Sequence, residues 1–236
     1  MHMNSVRLAD GRVIEYQLDV KRVKNINVRI KSDGVVYVSA NKYVTVKKIE
    51  DFITEKADFI IRASQKYKAQ KAPLYNDGDI IKILGEDKIL RVREGSACTA
   101  TISEDTVELS LPCTSDTEAK KALIEKLRLA VCREVIEPTL DRIYHAHFEQ
   151  KGVKYPLVKY RKMKSRWGSC HTSSGVVTFS TALGAVSMEC IELVVAHELS
   201  HFLHPDHSRQ FYVCLGSVLP DHKARKALLR CSDASL

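Results

Sequence analysis

A short apolar segment that runs directly into the pattern H-E-x-x-H constrains this chain more than any other feature of its sequence. Residues 193–196 are Leu-Val-Val-Ala, and His197-Glu198-Leu-Ser-His201 follows at once. A helix that is apolar on all sides is typically buried. An ionised carboxylate in such a place is costly unless it is paired or lies near a metal ion. We therefore predict a buried helix that ends in a metal site.

The spacing of the two histidines indicates how the metal is held. Side chains four residues apart lie on the same face of a helix, so His197 and His201 can bind one ion. H-E-x-x-H on a helix is the arrangement of zinc hydrolases, in which the glutamate is the general base. We therefore predict one Zn²⁺ ion as cofactor and Glu198 as the catalytic base. Ser187 is the predicted N-cap of this helix, with Glu189 in its first turn.

A catalytic zinc ion usually takes a third protein ligand and keeps one position open. The candidates are His204 and His207. Three ligands in line along one straight helix, from His197 to His204, spread over about 10 Å, which is too far for one ion. Pro205 disfavours helical geometry at His204, so the helix should end there and the chain can turn back. This geometry favours His207, and His204 stays open as a residue near the site.

The length and composition of the chain are those of a globular enzyme. Its 236 residues are 44% hydrophobic and 28% charged, which are ordinary values. No apolar run is long enough to span a bilayer, and the N-terminus has no hydrophobic signal segment. We therefore expect a cytoplasmic protein that does not contact a membrane. Its seven cysteines are expected to be reduced. Cys170 and Cys190 can approach the metal, although burial in the core is the more usual role.

The net charge of +8 raises the question of an anionic partner. One basic cluster lies shortly before a Trp-Gly-Ser-Cys run and upstream of the metal helix, where it could attract nucleic acid or a peptide carboxylate, or keep the protein soluble. Two other clusters are expected to be solvated surface. The first cluster comprises Lys159, Arg161, Lys162, Lys164 and Arg166, and the others are Lys21, Arg22 and Lys24, and Lys66, Lys68 and Lys71.

The first part of the chain is predicted to be rich in strands. Alternating apolar residues are separated by turns such as Asp10-Gly11 and Gly85-Glu86-Asp87. One helix is predicted within this part, at residues 46–63, and a loop at 68–79. The predicted strands cover residues 6–8, 13–18, 26–30, 35–38, 80–84, 89–92, 97–102 and 106–111.

The second part is predicted to be α+β. Ser115-Asp116-Thr117-Glu118 has the form of a capping box and opens a long helical pattern with a kink expected at Pro138. Strands at residues 157–160 and 176–179, the metal helix and a last helix at 221–230 follow. No internal repeat is visible in the sequence. The prediction is an α+β protein divided near residue 112, with a β-rich part at 1–112 and a zincin-like part at 113–236.

The order of its motifs gives the chain a specific resemblance. Lys-Ser-Arg-Trp-Gly-Ser-Cys at 164–170 precedes the H-E-L-S-H run, which is followed by His-Ser-Arg-Gln-Phe at 207–211 and Leu-Pro-Asp at 219–221. Together these motifs resemble the YgjP-like metal-dependent hydrolases, which are zincin-type metallopeptidase domains related to SprT-like and WLM domains. The resemblance runs over most of the chain and implies His207 as third ligand. Two runs depart from the family pattern, Phe211-Tyr212 and the segment 179–182.

The predicted reaction is therefore hydrolysis of a peptide bond by attack of a zinc-bound water, with Glu198 taking its proton. Donors for the oxyanion and contacts for the substrate are sought among Tyr212, Arg166, Trp167, His204 and His171. Trp167 can equally be a core aromatic residue. Two alternatives stay open: a nucleic-acid-associated protease, as the SprT-like relatives suggest, and a metal-binding interaction protein without turnover. The expected partner is a protein or peptide substrate.

Overall fold

A computed structural model describes residues 3–30, 34–69, 74–163 and 165–232, and within 65–69 it describes the backbone alone. The chain forms two compact units, Met1–Leu74 and Tyr75–Leu236, and the α+β class predicted from the sequence is confirmed. Lys71 and Lys164 of the basic clusters lie outside the described residues, as do the side chains of Lys66 and Lys68.

The first unit is a four-stranded sheet covered by two helices. Its strands pair in the order β1-β2-β4-β3, with β2 and β4 parallel and the outer pairs antiparallel. The helix predicted at 46–63 is in fact two helices, because the chain leaves helical geometry at Lys56. The elements are β1 (Met3–Arg7), β2 (Val13–Val20), β3 (Asn27–Ile30), β4 (Val36–Ala40), α1 (Val46–Glu55) and α2 (Ala57–Ala69).

Alternation of apolar residues places the core of this unit between sheet and helices. Tyr16 and Val38 point inward from the sheet, and Ile49, Ile53 and Ile60 meet them from the helices; all five are almost fully buried. Each strand contributes every second residue, as a pleated strand requires.

The second unit begins with a sheet of the same topology. Its order is β5-β6-β8-β7, again with a parallel central pair and antiparallel outer pairs. The two sheets are thus a structural repeat, although no repeat is visible in the sequence. The turn between the first two strands uses Leu84 and Gly85, both with positive φ. The strands are β5 (Ile80–Ile83), β6 (Glu86–Glu94), β7 (Thr99–Ile102) and β8 (Thr106–Leu111).

A long helix, α3 (Thr117–His147), follows and continues through Pro138. The capping box predicted at 115–118 is wrong, because the helix is not capped by Ser115. Asp116 is the N-cap, and its carboxylate accepts a hydrogen bond from the Ala119 amide at 2.9 Å.

The predicted boundary near residue 112 does not coincide with the division between the two units. The second sheet packs on the first half of α3 through Leu123, Ile124, Leu127 and Val131, and shares one core with it. Because that core joins residues on both sides of position 112, the second sheet belongs with the C-terminal helices.

The remainder of the second unit holds a small sheet and three helices. The sheet order is β10-β11-β9, with β10 at one edge. Sequence patterns missed β10 and the helix α5. Among the described residues no helix combines the length and the apolar character needed to cross a bilayer. The elements are β9 (Leu157–Arg161), β10 (Gly168–His171), β11 (Val176–Ser180), α4 (Met188–Ser200), α5 (Arg209–Val218) and α6 (His222–Cys231), with 3₁₀ turns at Glu149–Lys151 and Thr181–Ala185.

Candidate metal centre

Helix α4 carries the H-E-x-x-H run through the core of the second unit. Val195, Ala196 and Leu199 have no exposed surface, in agreement with the buried helix predicted from their apolar character. The helix begins after Ser187, whose side chain makes no capping hydrogen bond. It ends at Ser200, with His201 as the C-cap, so it stops earlier than the end expected near His204.

Three histidines meet at the end of this helix. The ligand nitrogens of His197, His201 and His207 all lie within 4.8 Å of one another, and the Nε2 atoms of His197 and His207 are 3.1 Å apart. Nitrogens bound tetrahedrally to one zinc ion, at about 2.05 Å each, are about 3.3 Å apart. The donor type and the spacing of this group therefore fit a single metal ion.

The turn after α4 explains how His207 reaches the other two. The chain leaves the helix at residues 201–203, and α5 starts after its N-cap Ser208, whose hydroxyl accepts a hydrogen bond from the Phe211 amide at 3.5 Å. His207 lies directly before this cap and is thus directed back over α4.

His204, the other candidate for the third ligand, does not join the histidine group. Its carbonyl oxygen accepts a hydrogen bond from Nδ1 of His201 at 3.2 Å. A histidine that donates from one ring nitrogen has its tautomer and orientation fixed, and the other nitrogen is left for a metal. The backbone of His204 therefore orients His201, whereas its side chain is not part of the histidine group or of the cavity lining.

Phe211 supports all three imidazoles. The centroid of its fully buried ring lies 4.9 Å from that of His197, 4.7 Å from His201 and 4.9 Å from His207. The three histidine rings are thus packed against a rigid apolar surface, which limits their rotation.

The electrostatics of the site favour neutral imidazoles. Burial, together with the charges of His201, His207 and Lys226, lowers the pKa of His197 to about 3. The pKa of His201 is also lowered, mainly by burial. Metal binding requires the unprotonated ring, so these two residues have the required form at neutral pH.

Glu198 is buried beside this group, with only 5% of its surface exposed. Burial raises the pKa of its carboxyl to about 7, while the charge of Arg166 and a hydrogen bond with the Cys170 backbone act in the opposite direction. A group with a pKa near the operating pH is well suited to accept and return a proton. Gly168 makes room for it, because a Cβ atom at that position would lie 2.6 Å from Oε1 of Glu198.

A cavity of about 630 Å³ opens over the histidines and Glu198. Of the substrate contacts predicted from the sequence, Arg166, Trp167 and Tyr212 line it, whereas His204 and His171 do not. The sequence-based prediction missed further polar lining residues, among them His222 and Lys226. Their separation by four residues within a predicted helix places them on one face, which is the pattern that could have indicated them.

The edge strand β10 forms part of the cavity lining. The Trp167 carbonyl accepts a hydrogen bond from the Ser180 amide at 2.8 Å. Because hydrogen-bonded pairs alternate in an antiparallel ladder, the register directs the backbone groups of Gly168 and Cys170 away from β11. The backbone of Cys170 hydrogen-bonds Glu198, and Gly168 and Cys170 both line the cavity.

The two cysteines considered near the metal have different positions. Cys190 is buried in the core of the unit, and Cys170 is half-buried and lines the cavity. Burial, together with the charge of Glu198, raises the pKa of Cys170 to about 12. Its thiol is therefore protonated at neutral pH, and it is not among the grouped ligand atoms.

The basic cluster before β10 is divided among several environments. Lys162 forms an ion pair with Glu125, Lys159 and Arg161 are exposed on β9, and Arg166 lines the cavity. These residues do not act as one continuous group.

Comparison with protein families identifies a match over most of the chain. A family model described as YgjP-like, metallopeptidase domain, matches residues 24–232, which includes every residue of the histidine group and the cavity. No curated protein matches the chain significantly.

Proposed function

The chain belongs to the YgjP-like family of metallopeptidase domains, and we propose that it is a zinc-dependent peptidase with Glu198 as its general base. Membership of the family supports a metal-dependent hydrolase in general. The observation that carries the finer proposal is the juxtaposition of three grouped imidazoles with one buried carboxylate of raised pKa, all lining the same cavity.

The proposed metal ligands are His197, His201 and His207. Three imidazoles with one position left open are typical of catalytic rather than structural zinc, which usually has four protein ligands. When bound, the ion supplies a Lewis acid that polarises a carbonyl group and lowers the pKa of water to about 7.

Glu198 moves the proton in the proposed reaction. Its carboxylate accepts a proton from the attacking water and then donates it to the amine that leaves. A pKa of about 7 suits both steps, since the carboxyl group is neither too weak a base nor too weak an acid at neutral pH. Gly168 keeps the space that this side chain occupies.

The substrate is proposed to be an extended peptide. Its backbone can pair with the groups at the edge of β10 that the hydrogen bond between Cys170 and Glu198 leaves available, in the manner of a peptide that adds a strand to a sheet. The Tyr212 side chain, which is 38% exposed and lines the cavity, is the proposed hydrogen-bond donor to the oxyanion. Trp167 is proposed to pack against the substrate.

The test combines metal analysis with a peptide cleavage screen. The purified protein is expected to hold one zinc ion and to cleave members of a proteome-derived peptide library. Glu198→Gln should keep the metal and lose activity by a factor of at least about 10², the lower end for loss of a general base. Glu189→Gln, on the exposed side of the same helix, is the matched control and should retain activity.

Two results would contradict the proposal. Equal cleavage by Glu198→Gln and the parent protein would exclude the general base. Full zinc occupancy with no cleavage of any peptide or denatured protein would favour a metal-binding protein without turnover.

Binding of nucleic acid stays a prediction. The exposed residues Lys159 and Arg161 are its candidates, and a steep fall in DNA affinity with increasing salt would be its signature.

A further inference from the structure

Two cationic side chains line the metal cavity without an acidic partner. Arg166 precedes β10, and Lys226 lies on α6. Across the part of the chain that the structure describes, neither forms an ion pair with a carboxylate, while Glu198 is the only carboxylate in the cavity lining. The charge of the lining is therefore positive even before a metal cation is considered.

Nearby acidic groups are engaged elsewhere. Arg225, the neighbour of Lys226 on α6, pairs with Asp221 at 2.9 Å and with Glu192 of α4 at 2.5 Å. Glu192 also pairs with Arg142 of α3. This network fixes α6 against α4 and uses the available carboxylates, so Lys226 remains unpaired.

The position of Lys226 is defined by an aromatic contact. Its Nζ lies 5.6 Å from the centre of the Tyr212 ring, and that ring stacks on His222 with a centroid distance of 6.4 Å. A cation over an aromatic face is stabilised there. The ammonium group is thus held beside the metal ligands, facing the cavity.

We propose that Arg166 and Lys226 select peptide substrates with acidic side chains close to the scissile bond. This inference rests on the proposed peptidase function and names the class of substrate that the cavity takes. Arg166 lies just before β10 and Lys226 lies on α6, and both elements pack on α4. The two cations therefore contact different positions of a bound peptide.

The physical basis is charge complementarity in a partly enclosed space. A cleft lined by one sign of charge concentrates ligands of the opposite sign. The guanidinium group can bind a carboxylate through two parallel hydrogen bonds, and the ammonium group acts as a point charge. Both charges act at the centre of the site, since Lys226 lowers the pKa of His197 and Arg166 lowers that of Glu198.

The test uses matched peptides that differ only by Glu or Gln on either side of the cleaved bond. The expected ratio of kcat/KM values is about fivefold in favour of Glu, the upper end of what one solvent-accessible ion pair contributes. Arg166→Gln and Lys226→Gln should each abolish the preference at a different peptide position. Lys226→Glu should reverse it, so that the Gln peptide is cleaved faster than the Glu peptide. Lys223→Gln and Arg230→Gln, exposed on α6 outside the cavity, are controls that should leave the ratio unchanged.

Added salt gives a second readout. The preference should weaken between about 0.05 and 0.5 M salt, because the screening length shortens. The ratio is informative even where a variant loses overall activity, since a general loss lowers both rates equally.

The outcomes separate this inference from the proposed function. Cleavage of Glu and Gln peptides at equal rates would overturn the inference and leave the peptidase intact. A phosphoserine peptide cleaved far faster than its Glu counterpart would also overturn it, in favour of phosphate recognition. Anisotropy of labelled peptides on Glu198→Gln protein measures binding alone. A Glu preference in binding with no cleavage by the parent protein would support the cationic selection and contradict the peptidase.

Discussion

Replacement of Gly168 by alanine should disable Glu198 without removing the metal site. The added Cβ would lie 2.6 Å from Oε1 of Glu198, 2.8 Å from Cγ and 2.9 Å from Cδ. Ordinary contacts begin at about 3.5 Å, so the carboxylate must retreat by roughly 0.9 Å or the edge strand must move. Neither group has free space, since Glu198 is buried and β10 is paired with β11.

The expected effect on rate follows from this displacement. A shift of about 1 Å in a reacting group costs on the order of 10²-fold in rate. The added methyl group should also lower the free energy of unfolding by about 1–3 kcal/mol, as overpacking of a core does. Zinc content should stay unchanged, because the three atoms nearest to the added Cβ all belong to Glu198 and none to a histidine.

The assay is kcat for the best peptide of the cleavage screen, measured together with zinc content and urea unfolding. Gly216→Ala is the matched control. Its added Cβ would meet only the His222 ring, at 3.5 Å, so activity should be kept. A Gly168→Ala protein with the activity of the parent would refute the role assigned to this glycine, and so would one that loses its zinc.

Three further outcomes follow from the geometry of the centre. His207→Ala should lose zinc, and with it the stabilisation that bound metal gives the fold. His204→Ala should keep zinc, because only the backbone of His204 orients His201. Metal analysis and melting temperatures test this pair, and the opposite pattern would exclude His207 as a ligand. Removal of metal by a chelator should lower the melting temperature of the parent protein and leave that of His207→Ala unchanged. The pKa of Glu198 is raised from 4.5 to about 7, so the folded metal-free protein loses stability as pH rises through this interval. Glu198→Gln should remove this penalty and raise the free energy of unfolding in urea by about 3 kcal/mol at pH 8 and by little at pH 4. A gain that is independent of pH would contradict the assigned cause.

Local patterns in the sequence predicted much of the secondary structure. The apolar segment before His197 predicted a buried helix, and the alternating strands of the first hundred residues were found close to their predicted bounds. The Asp10-Gly11 turn joins two antiparallel strands as expected. Such features depend on residues within one or two turns of each other, which is the range that sequence periodicity covers.

The sequence-based predictions were incomplete where packing between elements distant along the chain determines the structure. The predicted boundary at residue 112 differs from the division into compact units, because strands before it share a core with α3 after it. The repeated sheet topology, with its parallel central pair, was not visible because strand order depends on pairing across intervening residues. The strand β10 has the sequence Gly-Ser-Cys-His, which lacks the β-branched and aromatic residues that are typical of strands.

The candidate site divides in the same way. The sequence by itself determined that His197 and His201 share a helix face beside Glu198, since a spacing of four residues fixes this on any helix. Only the tertiary structure decided that His207 lies 3.1 Å from His197, that Gly168 gives Glu198 its space, and that Lys226 lines the same cavity. The physical reason is that these contacts join separate elements through packing of side chains, and packing has no fixed spacing along the chain.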